Sequence, residues 1–160
     1  DQHREWMLEQ RRIEAELAKT MFDEMSQEIG AEKSLEILAN VARKSAYDMG
    51  KSLGEKDGQK DGQTDLSTFA DVVPMWQEGG ALEIDIKKTT PTTLAFDVTR
   101  CRYAEMYHEI GAGDLGAALS CNRDGSLCEG YDPRIRMSRT ETIMGGHKRC
   151  NFRFTLEGDS

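Results

Sequence analysis

Residues 101–125, CRYAEMYHEIGAGDLGAALSCNRDG, hold two of the chain's four cysteines together with Glu105, His108 and Asp124. Thiol, carboxylate and imidazole are the side chains that attack carbon and move protons near neutral pH. On a helix turning about 100° per residue, Tyr103, Met106, Tyr107 and Ile110 share one side. Cys101, Glu105 and His108 fall within about 60° of one another on the opposite side. Two readings of that row stand. A charged row on a helix is commonly a solvated face. Alternatively Cys101, placed where a strand hands over to a helix, has its thiolate favoured by the unpaired backbone N–H groups there. Gly111 and Gly113 end this helix. DLGAALSC then starts another, with Leu115 and Leu119 toward the core and Cys121 off their stripe. Asn122, Arg123, Asp124 and Gly125 follow at once, a composition that turns the chain beside the thiol.

Cys128 and Cys150 complete the thiols. No CxxC occurs, and the Cys spacings of 20, 7 and 22 fit no zinc-finger template. A metal would therefore have to be assembled by the fold, with Cys101, Cys121 and Cys150 as ligands. The cofactor expectation is none, or one Cys-ligated zinc or iron. His147 and Cys150 in HKRC stand three apart, which on a strand sends them to opposite faces, so they share a metal only if the turn reaches past His147. Cys150 also alternates with Phe152 and Phe154, as a core residue does. No GxSxG elbow supports serine chemistry. GAGDLG at 111–116 has the letters of a dinucleotide fingerprint, yet it joins two helices rather than leaving a strand, so the phosphate-binding context is absent.

The elements that must position these groups are legible as changes of period. From 4 to 29, Ile13, Leu17, Met21, Met25 and Ile29 recur every four residues beside Ala18 and Phe22, one stripe of a long amphipathic helix. Gly30 ends it, and a second helix follows with Leu35, Leu38, Ala42 and Met49 inward until Gly50 or Gly54. The pair forms an antiparallel hairpin of helices. GEKDGQKDGQTD at 54–65 lacks the alternating ligands and final Glu of a calcium loop and reads as a solvated loop or frayed helix end. A short helix at 66–77, interrupted by Pro74, offers Phe69, Val72, Val73 and Trp76 for packing. The period then becomes two. Leu82, Ile84 and Ile86 alternate with polar residues, as do Leu94, Phe96 and Val98 across a turn at 89–91, which predicts a hairpin with one buried face. RIRMSRTETIM and HKRCNFRFT predict a second hairpin around Gly145 and Gly146, with Ile135, Met137, Cys150, Phe152 and Phe154 inward. Helices first and strands later give an α+β fold: a helical hairpin packed with an antiparallel sheet of two β-hairpins and connecting helices. The whole of 1–160 reads as one domain, mainly helical over 1–77, with the α+β part and the candidate site over 78–160.

Composition narrows the partners. The chain has 160 residues, 38% hydrophobic and 31% charged, enough for a single core that buries roughly two-thirds of the unfolded surface. Net charge is −8, from 21 basic and 29 acidic residues without a basic cluster, which argues against nucleic acid. No apolar run approaches the ~20 residues that span a bilayer, and no signal-peptide pattern opens the sequence. A cytoplasmic protein with free thiols or metal ligands, and with no membrane partner, is expected. The exposed side of the 4–29 helix offers a face for a second copy, and hence for a homo-oligomer.

Residues 96–154, FDVTRCRYAEMYHEIGAGDLGAALSCNRDGSLCEGYDPRIRMSRTETIMGGHKRCNFRF, resemble the C-terminal core of the L-2-amino-thiazoline-4-carboxylic acid hydrolase family. RRIEAELAKTMFDEMSQEIGAEKSLEILANVARKSAYDMG is similar to that family's leading helical region. The matching pieces are Cys-Arg-Tyr with Glu four residues after the Cys, Leu-Gly followed by Ser-Cys and then Asp, a Pro-x-Ile-x-x-x-Arg-Thr strand, and Cys-Asn-Phe-Arg-Phe. The family's named activity opens a thiazoline ring by hydrolysing a C=N bond, giving a carbamoyl-cysteine. The resemblance marks Cys101, Glu105, Cys121, Asp124, Arg139 and Cys150, whereas His108, Cys128 and His147 lie outside its pattern. It implies a hydrolase of a small nitrogen heterocycle, a cyclic amidine, imine or amide. Cys121 or Cys101 would be the nucleophile, Glu105 or Asp124 the acid/base, and Arg139 a clamp for a substrate carboxylate. Apart from the resemblance, His108 and Tyr103 are taken as further candidate binding residues. Cysteines holding a metal whose bound water attacks is an equally coherent mechanism. A ligand- or metal-binding sensor module without turnover is the alternative from another class.

Overall fold

The computed structural model describes residues 2–77 and 80–158, the side chains of Arg4 and Trp76 excepted, so the packing expected of Trp76 lies outside what is described. The first half is two long helices, α1 (Gln2–Ile29) and α2 (Ala31–Asp61), reversed at Gly30, whose φ of 87° suits glycine. α1 is an amphipathic helix turned away from its predicted stripe. Ala15 is fully buried and Ala18, Phe22 and Met25 are half-buried, whereas Ile13, Leu17, Met21 and Ile29 are exposed. The reason lies in the partner surface: Ala15 and Phe22 seat against Leu38, Ala104, Tyr107 and Leu115. A small residue at the contact lets the helix approach closely.

α2 runs straight through Gly50 and Gly54, which were expected to stop it. Ser34, Leu38, Ala42, Ala46, Gly50 and Gly54 form its buried line at every fourth position, while Met49 faces out. That line receives α7 (Arg123–Tyr131) almost backbone to backbone. A Cβ on Gly50 would stand 2.0 Å from the Leu127 carbonyl oxygen, and one on Gly130 would stand 2.1 Å from that of Tyr47. The 54–65 segment is largely the end of this helix, closed by Gly62 at φ 84°.

α3 (Leu66–Ala70) begins at a capping box in which Asp65 accepts N–H bonds from Ser67 and Thr68, and α4 (Val73–Trp76) carries Pro74 in its first turn. Four antiparallel strands follow in the order β1-β2-β4-β3: β1 (Leu82–Thr89), β2 (Thr93–Cys101), β3 (Ile135–Ser138) and β4 (Cys150–Leu156). The first hairpin pairs Leu82 with Cys101 and Thr89 with Leu94; at its outer edge Ile86 is exposed rather than inward. In the second, Ile135 opposes Leu156 and Ser138 opposes Arg153. Its strands are shorter than predicted, because the chain leaves the ladder at Arg139 and returns only at Cys150.

α2, α3, α7 and the sheet enclose the main core, where Phe96, Phe152 and Phe154 stack with centroids 4.9–6.0 Å apart. A second cluster joins α1, α2 and the helices that follow β2. Cys101 and Ile143 touch both. Among the described residues no helix is long and apolar enough to cross a membrane.

Candidate functional site

Cys101 ends β2 and caps α5 (Arg102–Glu109), its Sγ accepting the Ala104 N–H at 3.4 Å. The predicted handover from strand to helix therefore stands. The favoured thiolate does not follow from it: burial pushes the Cys101 thiol up to about 11, and the N–H groups at the helix start offset only part of that push. The rest of the predicted row, Glu105 and His108, is exposed, as the solvated-face reading expects. Glu105 is exposed and ion-paired with Arg100 at 2.8 Å. His108 is exposed, its ring beside Gly113. On the other side of the helix Tyr103 is half-buried and interacts with Arg11 of α1. Of the row, only Cys101 turns inward.

From Gly113 to Tyr131 the chain is helical almost without a break, through α6 (Gly113–Gly116), a π-helical turn (Ala117–Cys121) and α7. The wide turn is closed by the Asn122 N–H donating to the Ala117 carbonyl at 3.0 Å. Residues 122–125 thus do not turn the chain as expected. They open α7, with Asp124 in its first turn. The inserted residue of the π turn leaves Cys121 half-buried at the junction.

Just beyond β3, Arg139 reaches back to this junction. Its guanidinium donates to Asp124 at 2.7 Å and to the Cys121 carbonyl at 3.1 Å, and lies 5.1 Å from the centroid of the Phe152 ring. Burial pushes the Asp124 carboxyl up to about 6, against the pull of Arg139. Burial, and then the charge of Asp124, push the Cys121 thiol up to about 12. Burial likewise raises Cys128 and Cys150, the latter despite the Ile143 N–H donating to its Sγ at 3.2 Å. The fold therefore gathers all four thiols within electrostatic reach of one partly buried Asp–Arg pair. Among the described residues, no three His, Cys, Asp or Glu side chains stand together as metal ligands. His147 is exposed against Thr142, apart from the buried Cys150.

A groove of about 580 Å³ opens beside this centre. Its walls include Arg43 of α2, Cys121, Asn122, Ser126 and Glu129 on the helical run, and Ile135, Arg136, Met137 and Arg139 from the sheet side. Cys121 and Arg139 are thus brought to one cavity, whereas Cys101, Tyr103, Glu105, His108, Asp124 and Cys150 do not line it, and Asp124 is tied to it through its bond to Arg139. Sequence reasoning missed Arg43, Asn122 and Glu129. Arg43 reads as one more charge on a solvated helix face, and no spacing ties position 43 to position 122.

A helical hairpin laid on a four-stranded antiparallel sheet is an α+β fold that other solved structures share. Subunit 3 of a trafficking protein particle complex from Naegleria fowleri, covalently bound to palmitic acid, matches over 93% of this chain and 96% of its own, at 11% identity and TM-score 0.56. The phenol-responsive sensory domain of the transcription activator PoxR, with phenol, matches over 89% of this chain and 73% of its own, at 10% identity and TM-score 0.56. At such identities the likeness is one of fold. The sequence itself is more telling: residues 10–154 match the L-2-amino-thiazoline-4-carboxylic acid hydrolase family, and the chain belongs to it. The resemblance seen in the cysteine motifs thus extends over both helices of the hairpin and the sheet. No curated protein matches the sequence.

Proposed function

We propose that this chain is a hydrolase that opens a small nitrogen heterocycle, a cyclic amidine, imine or amide, by cleaving a ring C–N bond. Cys121 is its nucleophile and Asp124 its proton carrier. The observation that carries the reading is the Arg139 guanidinium, which lines the groove with Cys121 and donates both to the Cys121 carbonyl and to Asp124. The family, named for a thiazoline hydrolase, supplies the reaction class.

At rest the Cys121 thiol is protonated. Asp124, ionised above about pH 6, takes the thiol proton as sulfur adds to the C=N carbon, and delivers a proton to the ring nitrogen as the C–N bond breaks. Water then adds to the carbon held by sulfur, and the sulfur leaves as a thiol. Arg139 fixes the carboxylate that does this work. Cys101, inside the fold and off the groove, is left with a structural part, and Glu105, His108 and Tyr103 take none of the chemistry. A reducing cytoplasm, which keeps the four thiols free, fits this use.

The test is turnover of L-2-amino-thiazoline-4-carboxylate by the purified chain. Multiple turnovers are expected, with kcat at least about a hundredfold lower in Cys121→Ala at unchanged circular dichroism. Full activity in that variant removes thiol chemistry from the mechanism. A second reading, a ligand-binding module without turnover, draws on the four thiols pushed toward their protonated forms and on the two neighbours of like fold, one carrying palmitic acid and one responding to phenol. Binding without product formation in the same assay selects it.

A further inference from the structure

The groove beside Cys121 is lined by four permanently or ordinarily charged side chains, Arg43, Glu129, Arg136 and Arg139. Two of them are neutralised within the fold. Arg139 is paired with Asp124 at 2.7 Å, and Arg136 with Glu157 at 3.2 Å. Arg43 is held differently. Its guanidinium donates to the side-chain amide oxygens of Asn40, one helical turn back, and of Asn122, the residue after Cys121, at 3.5 Å. Asn122 is itself tied to α2, donating to the Ala39 carbonyl at 3.2 Å. Amide oxygens orient a guanidinium without cancelling its charge, and they leave its remaining N–H groups for another acceptor. Among the described residues neither Arg43 nor Glu129 has an oppositely charged partner. In a protein of net charge −8, an oriented and unneutralised arginine beside the thiol is a local exception to the prevailing field.

We propose that Arg43 is the residue that recognises the carboxylate of the substrate, while Glu129 faces the cationic nitrogen at its other end. This rests on the hydrolase reading and deepens it. The carboxylate clamp moves from Arg139, whose charge is already taken, to Arg43 of α2. An exposed planar fork that bonds Asn40 and, at 3.5 Å, Asn122 suits a bidentate carboxylate, and Asn122 places it next in sequence to Cys121. The coupling through Asn122 also ties the clamp to the helical turn that carries the nucleophile.

The experiment compares L-2-amino-thiazoline-4-carboxylate with its 4-carboxamide, which keeps the ring and loses the anion. Binding is measured by calorimetry on the Cys121→Ala protein, alone and combined with Arg43→Ala, Arg43→Lys or Glu129→Gln, and wild-type turnover is measured alongside. The parent should prefer the carboxylate by about tenfold to a hundredfold, the span of a charge-assisted bidentate contact. Arg43→Ala should erase that preference while leaving carboxamide binding within about twofold, Arg43→Lys should restore part of it, and Glu129→Gln should weaken both ligands alike. A preference that survives Arg43→Ala, equal loss of both ligands in that variant, or no binding of either ligand to the parent overturns the assignment. Failure of the hydrolase reading looks different. Arg43-dependent binding of the carboxylate without turnover by the wild-type protein removes the reaction and keeps the anion site.

Discussion

Asp124 lies 2.7 Å from a guanidinium, a contact that ordinarily lowers a carboxyl, yet it is pushed up to about 6 from an ordinary 3.8. Burial accounts for the inversion: loss of hydration penalises the anion more than Arg139 repays it. The sign of the linked stability follows. Between about pH 4 and 6 the folded chain holds a proton at Asp124 that the unfolded chain has released, so this group's stabilising contribution is full below about 4 and is lost as pH rises through 6. Asp124→Asn cannot titrate. The wild-type unfolding free energy minus that of Asp124→Asn should therefore fall with rising pH across that window and level off above it, as read from urea midpoints at each pH. A difference that stays flat across the window would mean an ordinary carboxyl. The same ionisation should set the acid limb of kcat/KM near pH 6.

Among the elements, the contact between α2 and α7 makes the sharpest demand. At Gly50 the Leu127 carbonyl oxygen occupies the place of a Cβ, whereas at Gly58, on the same helix, nothing lies within 4 Å. Gly50→Ala should cost about 2–4 kcal/mol, since the two helices must separate or bend. Gly58→Ala should be neutral or stabilising by up to about 1 kcal/mol, as a helix-interior glycine loses its excess backbone freedom. Urea midpoints of the two variants give the comparison, and equal effects would mean that packing is not what the glycine serves. These glycines also mark where the sequence misleads. Local propensity reads Gly50 and Gly54 as helix stops, and a tertiary contact overrides it. The polar run at 122–125 likewise looks like a turn, because nothing local announces a π turn that keeps the chain helical. What was legible rested on two-residue alternation: Leu94, Phe96 and Val98 on β2, and Cys150, Phe152 and Phe154 on β4, are all buried, although on β2 Ala95 and Asp97 between them are buried as well, so that strand is covered on both faces. Cys101 at the strand-to-helix junction was legible for the same reason. The α1 stripe failed because period alone gives a helix two candidate faces when small residues such as Ala15 can make the contact. Arg43 was invisible because its meaning depends on Asn122 and Glu129, brought to it only by the fold.

At the scale of the whole molecule, the two apolar clusters are joined rather than merely adjacent. Cys101 and Ile143 belong to the packing of both, and α2 contributes Leu38 to one and Ala46 to the other. The glycine-mediated seam locks α2 to α7, and α7 supplies Leu127, Cys128 and Tyr131 to the core against the sheet. Peeling the helical hairpin from the sheet would open both clusters at once, so no subset of elements keeps a complete core of its own. The chain should accordingly lose its helices and its sheet core in one two-state step. Cys128 gives an internal reporter of that step: it is 1% exposed, in the cluster against the sheet, and far from ordinary thiol reactivity because burial holds its proton. Pulsed thiol labelling of Cys128 along a urea titration, located by peptide mass, should share its midpoint with far-UV circular dichroism at 222 nm, which reports chiefly on α1 and α2. Labelling that lags behind the loss of helix would mean that the sheet and α7 survive departure of the hairpin, and the site would then sit on a separable unit. Coincidence would instead mean that Arg43 on the hairpin and Cys121 behind the sheet are held in register by the stability of the whole chain.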